Sequence, residues 1–222
     1  TYKVTAGSFV DESHLTGELS RTTGEYAGSY AIIRGTLETT DNYALTFDEN
    51  VTFEIAKAQQ APLSIKANMT EAFNIWYGSG FSLTAAGGSG DGTLTWAVTA
   101  GNAATVDAGG GVVVIGVGEV TIKATKAGGT NYQDISAEYT FTAEKRRINA
   151  KVTAADKTYD GTTTATVTAE VTTSTPGPLP GDSIIITGLT GTFADANVGV
   201  DKRVTVDTSK AEVTGHNSDK YA

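Results

Sequence analysis

Three tyrosines, Tyr43, Tyr132 and Tyr221, stand 89 residues apart in both intervals, and each closes a similar polar stretch. Asp41-Asn42-Tyr43 leads through an alternating segment and a turn into Val51-Thr52-Phe53-Glu54-Ile55-Ala56-Lys57. Asn131-Tyr132 leads into Ala137-Glu138-Tyr139-Thr140-Phe141-Thr142-Ala143-Glu144-Lys145, and Ser218-Asp219-Lys220-Tyr221 stands at the end of the chain. A supersecondary unit returning at a fixed interval is the mark of an array of modules. At 222 residues the chain has room for two or three of them.

Every strong periodicity in the chain is two residues long. In Tyr30-Ala31-Ile32-Ile33-Arg34-Gly35-Thr36-Leu37, Ala31, Ile33, Gly35 and Leu37 share one face and read as core. Leu94, Trp96 and Val98 alternate onto one face, as do Val120 and Ile122. No stretch holds apolar residues at helical spacing for long enough to predict a helix. The 26 glycines against 4 prolines suit a β-protein with many turns. The fold class expected is all-β: tandem immunoglobulin-like, Greek-key β-sandwich modules in an elongated array.

Three modules are predicted. Residues 1–57 form a partial module with short segments at 2–5, 18–22, 29–37, 43–47 and 51–55. Residues 58–145 form the most complete sandwich, with a turn at Gly87-Gly88-Ser89-Gly90-Asp91-Gly92 ending in a pair suited to positive φ. Residues 146–222 form a module lacking its last strand, with a loop at Thr175-Pro176-Gly177-Pro178-Leu179-Pro180-Gly181-Asp182, since proline cannot donate to a ladder. The junctions at 56–62 and 144–148 are short and free of Gly/Ser runs, which predicts stiff connections. The chain opens in mid-pattern at Thr1-Tyr2-Lys3-Val4 with no signal peptide, the expectation for a piece of something longer.

Charge and composition exclude several functions. The net charge is −9, and the basic cluster Lys145-Arg146-Arg147 is too short for a phosphate footprint, so nucleic acid is not an expected partner. Without cysteine there are no disulfides, thiolate metal sites or cysteine nucleophiles. No apolar run approaches the ~18 residues of a membrane helix, so no membrane insertion is expected within this chain.

Specific residues carry a family resemblance. Gly87-Gly88-Ser89-Gly90, Trp96-Ala97-Val98, Gly116-Val117-Gly118-Glu119-Val120-Thr121-Ile122 and Asn131-Tyr132 resemble a bacterial immunoglobulin-like repeat of cell-surface proteins. Asp156-Lys157-Thr158-Tyr159-Asp160-Gly161, followed by Gly181-Asp182 and Gly191-Thr192-Phe193-Ala194-Asp195-Ala196-Asn197, is similar to the YDG repeat of bacterial adhesins. Gly28-Ser29-Tyr30-Ala31-Ile32 with Asp41-Asn42-Tyr43 and Phe53-Glu54-Ile55-Ala56-Lys57 resembles the closing half of the MBG repeat. The resemblance implies an extracellular, wall-attached or secreted protein whose repeats serve as a stalk or adhesive region, and it implies no catalytic residues.

Candidate sites follow from side-chain chemistry. Tyr159 beside Asp160 could stack on a pyranose ring while the carboxylate accepts a hydroxyl, and Trp76-Tyr77 is a second aromatic platform; both would take host glycan or extracellular protein. Beside these stands the plainer reading, with Asp160-Gly161 as a tight turn and the aromatics capping module ends. No cofactor is expected. Calcium is the one metal left open, through Asp182, Asp195 and Asn197, or through Asp41 and Asn42 with Asp48 and Glu49; no EF-hand loop is present. His14 and His216 lie far apart in polar stretches and offer no zinc set. A glycosidase needs two carboxylates across a cleft, and no spacing selects a pair. Three readings therefore stand: a non-catalytic stalk or spacer, a binding module, and accessory modules of a larger carbohydrate-active enzyme.

Overall fold

The computed structural model describes residues 15–40, 43–69, 75–172 and 177–222. Among the described residues the regular structure is β, apart from a 3-10 turn at Ser218–Lys220. Contacts divide the chain into two compact units. The first holds residues up to Leu63 with Ala86–Leu94 and Thr125–Ser136; the second holds Ser64–Ala85, Thr95–Ala124 and Ala137–Ala222.

In the first unit, Gly28–Ile33 sits between Ser20–Arg21 and Thr52–Ile55, antiparallel to the latter with Tyr30 opposite Phe53. The Arg21 guanidinium lies 5.0 Å from the Tyr30 ring and 5.6 Å from the Phe53 ring, so a cation covers what would otherwise be a bare aromatic pair. No described residue before Gln60 is buried, and Leu19, Val51 and Phe53 line an apolar cleft of about 740 Å³. The segment 43–47 is not a strand, although its sequence alternates. The backbone N–H of Tyr43 donates to the Thr40 carbonyl and the Thr39 hydroxyl donates to the Tyr43 carbonyl, so a local turn takes groups a ladder would need.

Gln60 anchors the connector that follows. Its amide donates to the carbonyls of Lys126 and Gln133 at 3.0 and 2.8 Å, and its oxygen accepts from the Ser89 N–H at 2.9 Å. A buried amide is tolerated only when satisfied in this way. Next to it, Ala58 pairs in parallel with Tyr132, and the Lys57 ammonium donates to the Gly129 carbonyl.

The second unit contains the sandwich core. One sheet runs in the order Leu63–Asn68, Gly80–Gly87, Gly111–Val114, Ala104–Val106; the facing three-stranded sheet runs Ile135–Ala143, Gly118–Lys126, Leu94–Ala100. Alternation decides the core. Leu83, Val112 and Val114 point in from the first sheet, and Val120, Ile122, Phe141 and Ala143 from the second. Phe81 meets Phe141 edge to face at 5.3 Å, adding aromatic contact to area burial.

From Ala150 onward the sheets are smaller. Ala150–Ala154 pairs antiparallel with Val167–Val171; Thr164–Ala165, Thr190–Phe193 and Val204–Asp207 form a three-stranded sheet; Ile185–Thr187 pairs with Glu212–Thr214. Thr164–Ala165 and Val167–Val171, one residue apart, thus belong to two different sheets. The buried side chains here are few, Ala165 and Tyr221 among them.

Candidate functional site

Two loop clusters of the second unit carry the sequence-predicted residues. The first surrounds Tyr221, which is 2% exposed. The turn Ser218–Lys220, begun by Asn217 at φ 61, delivers the Tyr221 ring inward, and Arg146 pairs with Tyr221 in a parallel bridge. The Tyr221 hydroxyl donates to Asp182 at 2.5 Å and accepts from the Leu179 N–H at 2.9 Å. The Asn217 amide donates to the other Asp182 oxygen at 2.6 Å. Burial would raise the Asp182 carboxyl, but hydrogen bonds from Asn217, Tyr221 and Tyr77 outweigh it and hold the group below its ordinary value. Burial, joined by the bond to Asp182, pushes the Tyr221 hydroxyl up to about 12.

Tyr77 and Trp76 lie against this cluster. Tyr77 meets Tyr221 edge to face at 5.6 Å and 87°, the Lys220 ammonium sits 4.8 Å from its ring, and 8% of the residue is exposed. Burial and its bond to Asp182 also raise its hydroxyl. Trp76 is half-buried and pairs in parallel with Glu144, whose carbonyl also accepts from the Tyr77 N–H. The Tyr77 ring is therefore buried against Lys220 and Tyr221 and does not stand as an open platform, while Trp76 beside it is half-buried. The Leu179-Pro180-Gly181-Asp182 stretch, a proline loop by sequence, builds the receiving socket.

The second cluster surrounds Tyr159, which is 66% exposed. It lines a cleft of about 490 Å³ with Lys157, Phe193, Val198, Val200 and Lys202. Asp160 accepts from the Lys157 ammonium at 2.8 Å and from the N–H and hydroxyl of Thr162, both at 2.9 Å. These bonds, the lysine's first, lower its carboxyl to about 2. On the facing loop the Lys202 ammonium holds the carboxylate of Asp195 and the carbonyl of Asn197, while the Asn197 N–H donates to Asp195 at 2.8 Å. The lysine bond, followed by the Asn197 N–H, also lowers the Asp195 carboxyl. Tyr159 and Asp160 thus come together in one loop.

Asp195 and Asn197 belong to this cleft, whereas Asp182 belongs to the Tyr221 cluster. A lysine ammonium occupies the position at Asp195 that a cation would take. Among the described residues, no group of three or more His, Cys, Asp or Glu side chains could hold a metal ion. Asp48 caps its own turn through the Asn50 N–H at 3.0 Å, and Asp41, Asn42 and His14 lie outside the described residues.

Tyr221, Lys220, Asn217 and Leu179 were not singled out as site residues by sequence. The signal was the tyrosine spacing: Tyr132 pairs with Ala58 and Tyr221 with Arg146, so two of the three evenly spaced tyrosines close onto the connector stretches 56–62 and 144–148.

The described residues form β-sandwich-type, all-β structure of the kind found in tandem repeat modules. Residues 144–222 match the family model of the YDG domain, and residues 1–53 match that of the MBG domain (YGX type). The two matched segments lie toward opposite ends of the sequence, and each covers less than half of it. No curated protein matches it. Among solved structures it is similar to a mutant of intimin from EHEC O157:H7, with 33% identity over 44% of this chain and 52% of that one, at a TM-score of 0.29. The chain spans about half the length of that structure.

Proposed function

We propose that the chain is a non-catalytic spacer of a bacterial surface protein, built of modules at 1–57, 58–145 and 146–222 and acting outside the cell. The observation that carries this reading is the repeated lock. At Ala58–Tyr132 and again at Arg146–Tyr221, a connector is hydrogen-bonded into the module it enters. A connector fixed by backbone bonds transmits position and force, whereas a flexible linker does not. The Tyr77–Tyr221–Asp182 network adds side-chain burial at the second junction.

A second reading is favoured by the open Tyr159 ring. An aromatic face beside a fixed carboxylate, Asp160, has the chemistry to bind host glycan or an extracellular protein. One screen separates the two. The purified chain is tested against mucins, matrix proteins and a glycan array, with calcium and with EDTA. The spacer reading expects no saturable binding and a melting temperature that calcium and EDTA leave unchanged. A saturable ligand lost in Tyr159→Ala overturns it in favour of the adhesive reading.

A further inference from the structure

The loop that docks one module onto the next has a counterpart at Tyr159. Tyr77-Gly78 lies between the paired strands Leu63–Asn68 and Gly80–Gly87, and Tyr159-Asp160-Gly161 lies between the paired strands Ala150–Ala154 and Val167–Val171. Both glycines take the left-handed conformation, with φ of 81° at Gly78 and 72° at Gly161, so both loops turn on the same kind of residue after the tyrosine. The surroundings differ. A Cβ at Gly78 would meet Leu179 at 2.4 Å, while one at Gly161 would meet nothing within 4 Å. Tyr77 is covered by Tyr221 and Lys220, whereas Tyr159 stands 66% exposed beside Val198 at 85% and Val200 at 91%.

We infer that Tyr159-Asp160-Gly161 is a second docking motif, whose occupant is the socket end of another repeat module of this kind, presenting residues equivalent to Leu179, Asp182, Lys220 and Tyr221. The inference rests on the spacer reading and extends it from the junction present in this chain to one more. Three observations select this occupant. A tyrosine followed closely by a left-handed glycine, in a loop between paired strands, is already covered by such a socket at Tyr77-Gly78. Two valines and a tyrosine exposed together form an apolar patch of the sort that marks an interaction surface. A socket lysine placed as Lys220 is over Tyr77 would find the open face of the Tyr159 ring. The loop is also ordered in advance: Lys157 ties Asp160 to the Thr162 carbonyl, and Lys202 ties the facing loop to Asp195 and Asn197, so docking would freeze little additional chain.

The absence of cysteine makes the test clean. Val198→Cys places a single thiol on the rim of the patch, and its reaction with a maleimide is timed in the 222-residue chain. The same variant is then made in a chain extended after Ala222 by a second copy of residues 134–222, which supplies the strand Ile135–Ala143, a connector and one further socket. Docking predicts labelling slowed by about tenfold or more in the extended chain. Tyr221→Ala in the appended copy should restore the fast rate. A reference extended chain carries residues 76–78 in place of 158–161, so its docking loop is one that fits the socket. An appended copy that folds behind both loops while the thiol of the native-loop chain stays fully reactive overturns the inference. So does one that folds behind the grafted loop and not behind the native one. These outcomes do not touch the glycan screen, so the docking inference can fail while the spacer reading stands.

Discussion

Tyr221 bears more of the second junction than any other single residue. Its hydroxyl both donates to a carboxylate and accepts from a backbone N–H, and its ring packs on Tyr77. Tyr221→Phe keeps the ring and deletes the two bonds, leaving the Leu179 N–H and one Asp182 oxygen without that partner. Stranding buried polar groups costs about 1 to 3 kcal/mol. The urea midpoint should fall accordingly while the m-value holds, since the surface exposed on unfolding is unchanged. Tyr159→Phe is the matched control: an exposed hydroxyl should change stability by less than about 0.5 kcal/mol. Equal effects of the two substitutions would show that the network contributes nothing.

At the scale of the element, the two Tyr–Gly loops offer a comparison of their own. Alanine at a left-handed glycine is strained wherever it occurs, at a cost of about 1 kcal/mol. Gly161→Ala should cost only that, because open space surrounds the position, whereas Gly78→Ala also drives a methyl into Leu179. The expected result of paired denaturation curves is a larger loss for Gly78→Ala; similar losses would mean that the socket yields freely. Strands were legible wherever both faces had a clear sign, as in Gly118–Lys126, where Val120, Ile122 and Ala124 alternate inward. Alternation misled at 43–47, where hydroxyl and turn bonds satisfy the backbone locally. The aromatic platform at Trp76-Tyr77 was harder still to read. What covers the Tyr77 ring is Lys220 and Tyr221, more than 140 residues away, and local pattern carries no information about so distant a partner. The tyrosine spacing did carry it in part, because Tyr132 and Tyr221 each pair with a connector residue, Ala58 and Arg146.

For the whole molecule, the junction network ties stability to pH at both ends of the scale. Asp182 titrates below its ordinary 3.8 in the folded chain, so its contribution is present above that value and is lost as the pH falls through the folded one. Tyr221 moves the other way. Raised from 10.0 to about 12, it contributes fully below pH 10 and loses that contribution as the pH climbs toward 12. Between these limits the network is intact, and a plateau of stability is expected from about pH 4 to about pH 10. Other carboxylates share the acid limb: Asp160 and Asp195 are also lowered by their lysines, though both stand in solvent, where such pairs stabilise weakly. Asp182→Asn should therefore make the acid limb shallower without abolishing it. Tyr221→Phe should shrink the alkaline limb to what Tyr77, also raised by burial, still supplies. Unfolding midpoints measured across the range in both variants decide the matter. An alkaline limb of undiminished size in Tyr221→Phe would place the high-pH sensitivity outside the Tyr77–Tyr221–Asp182 network.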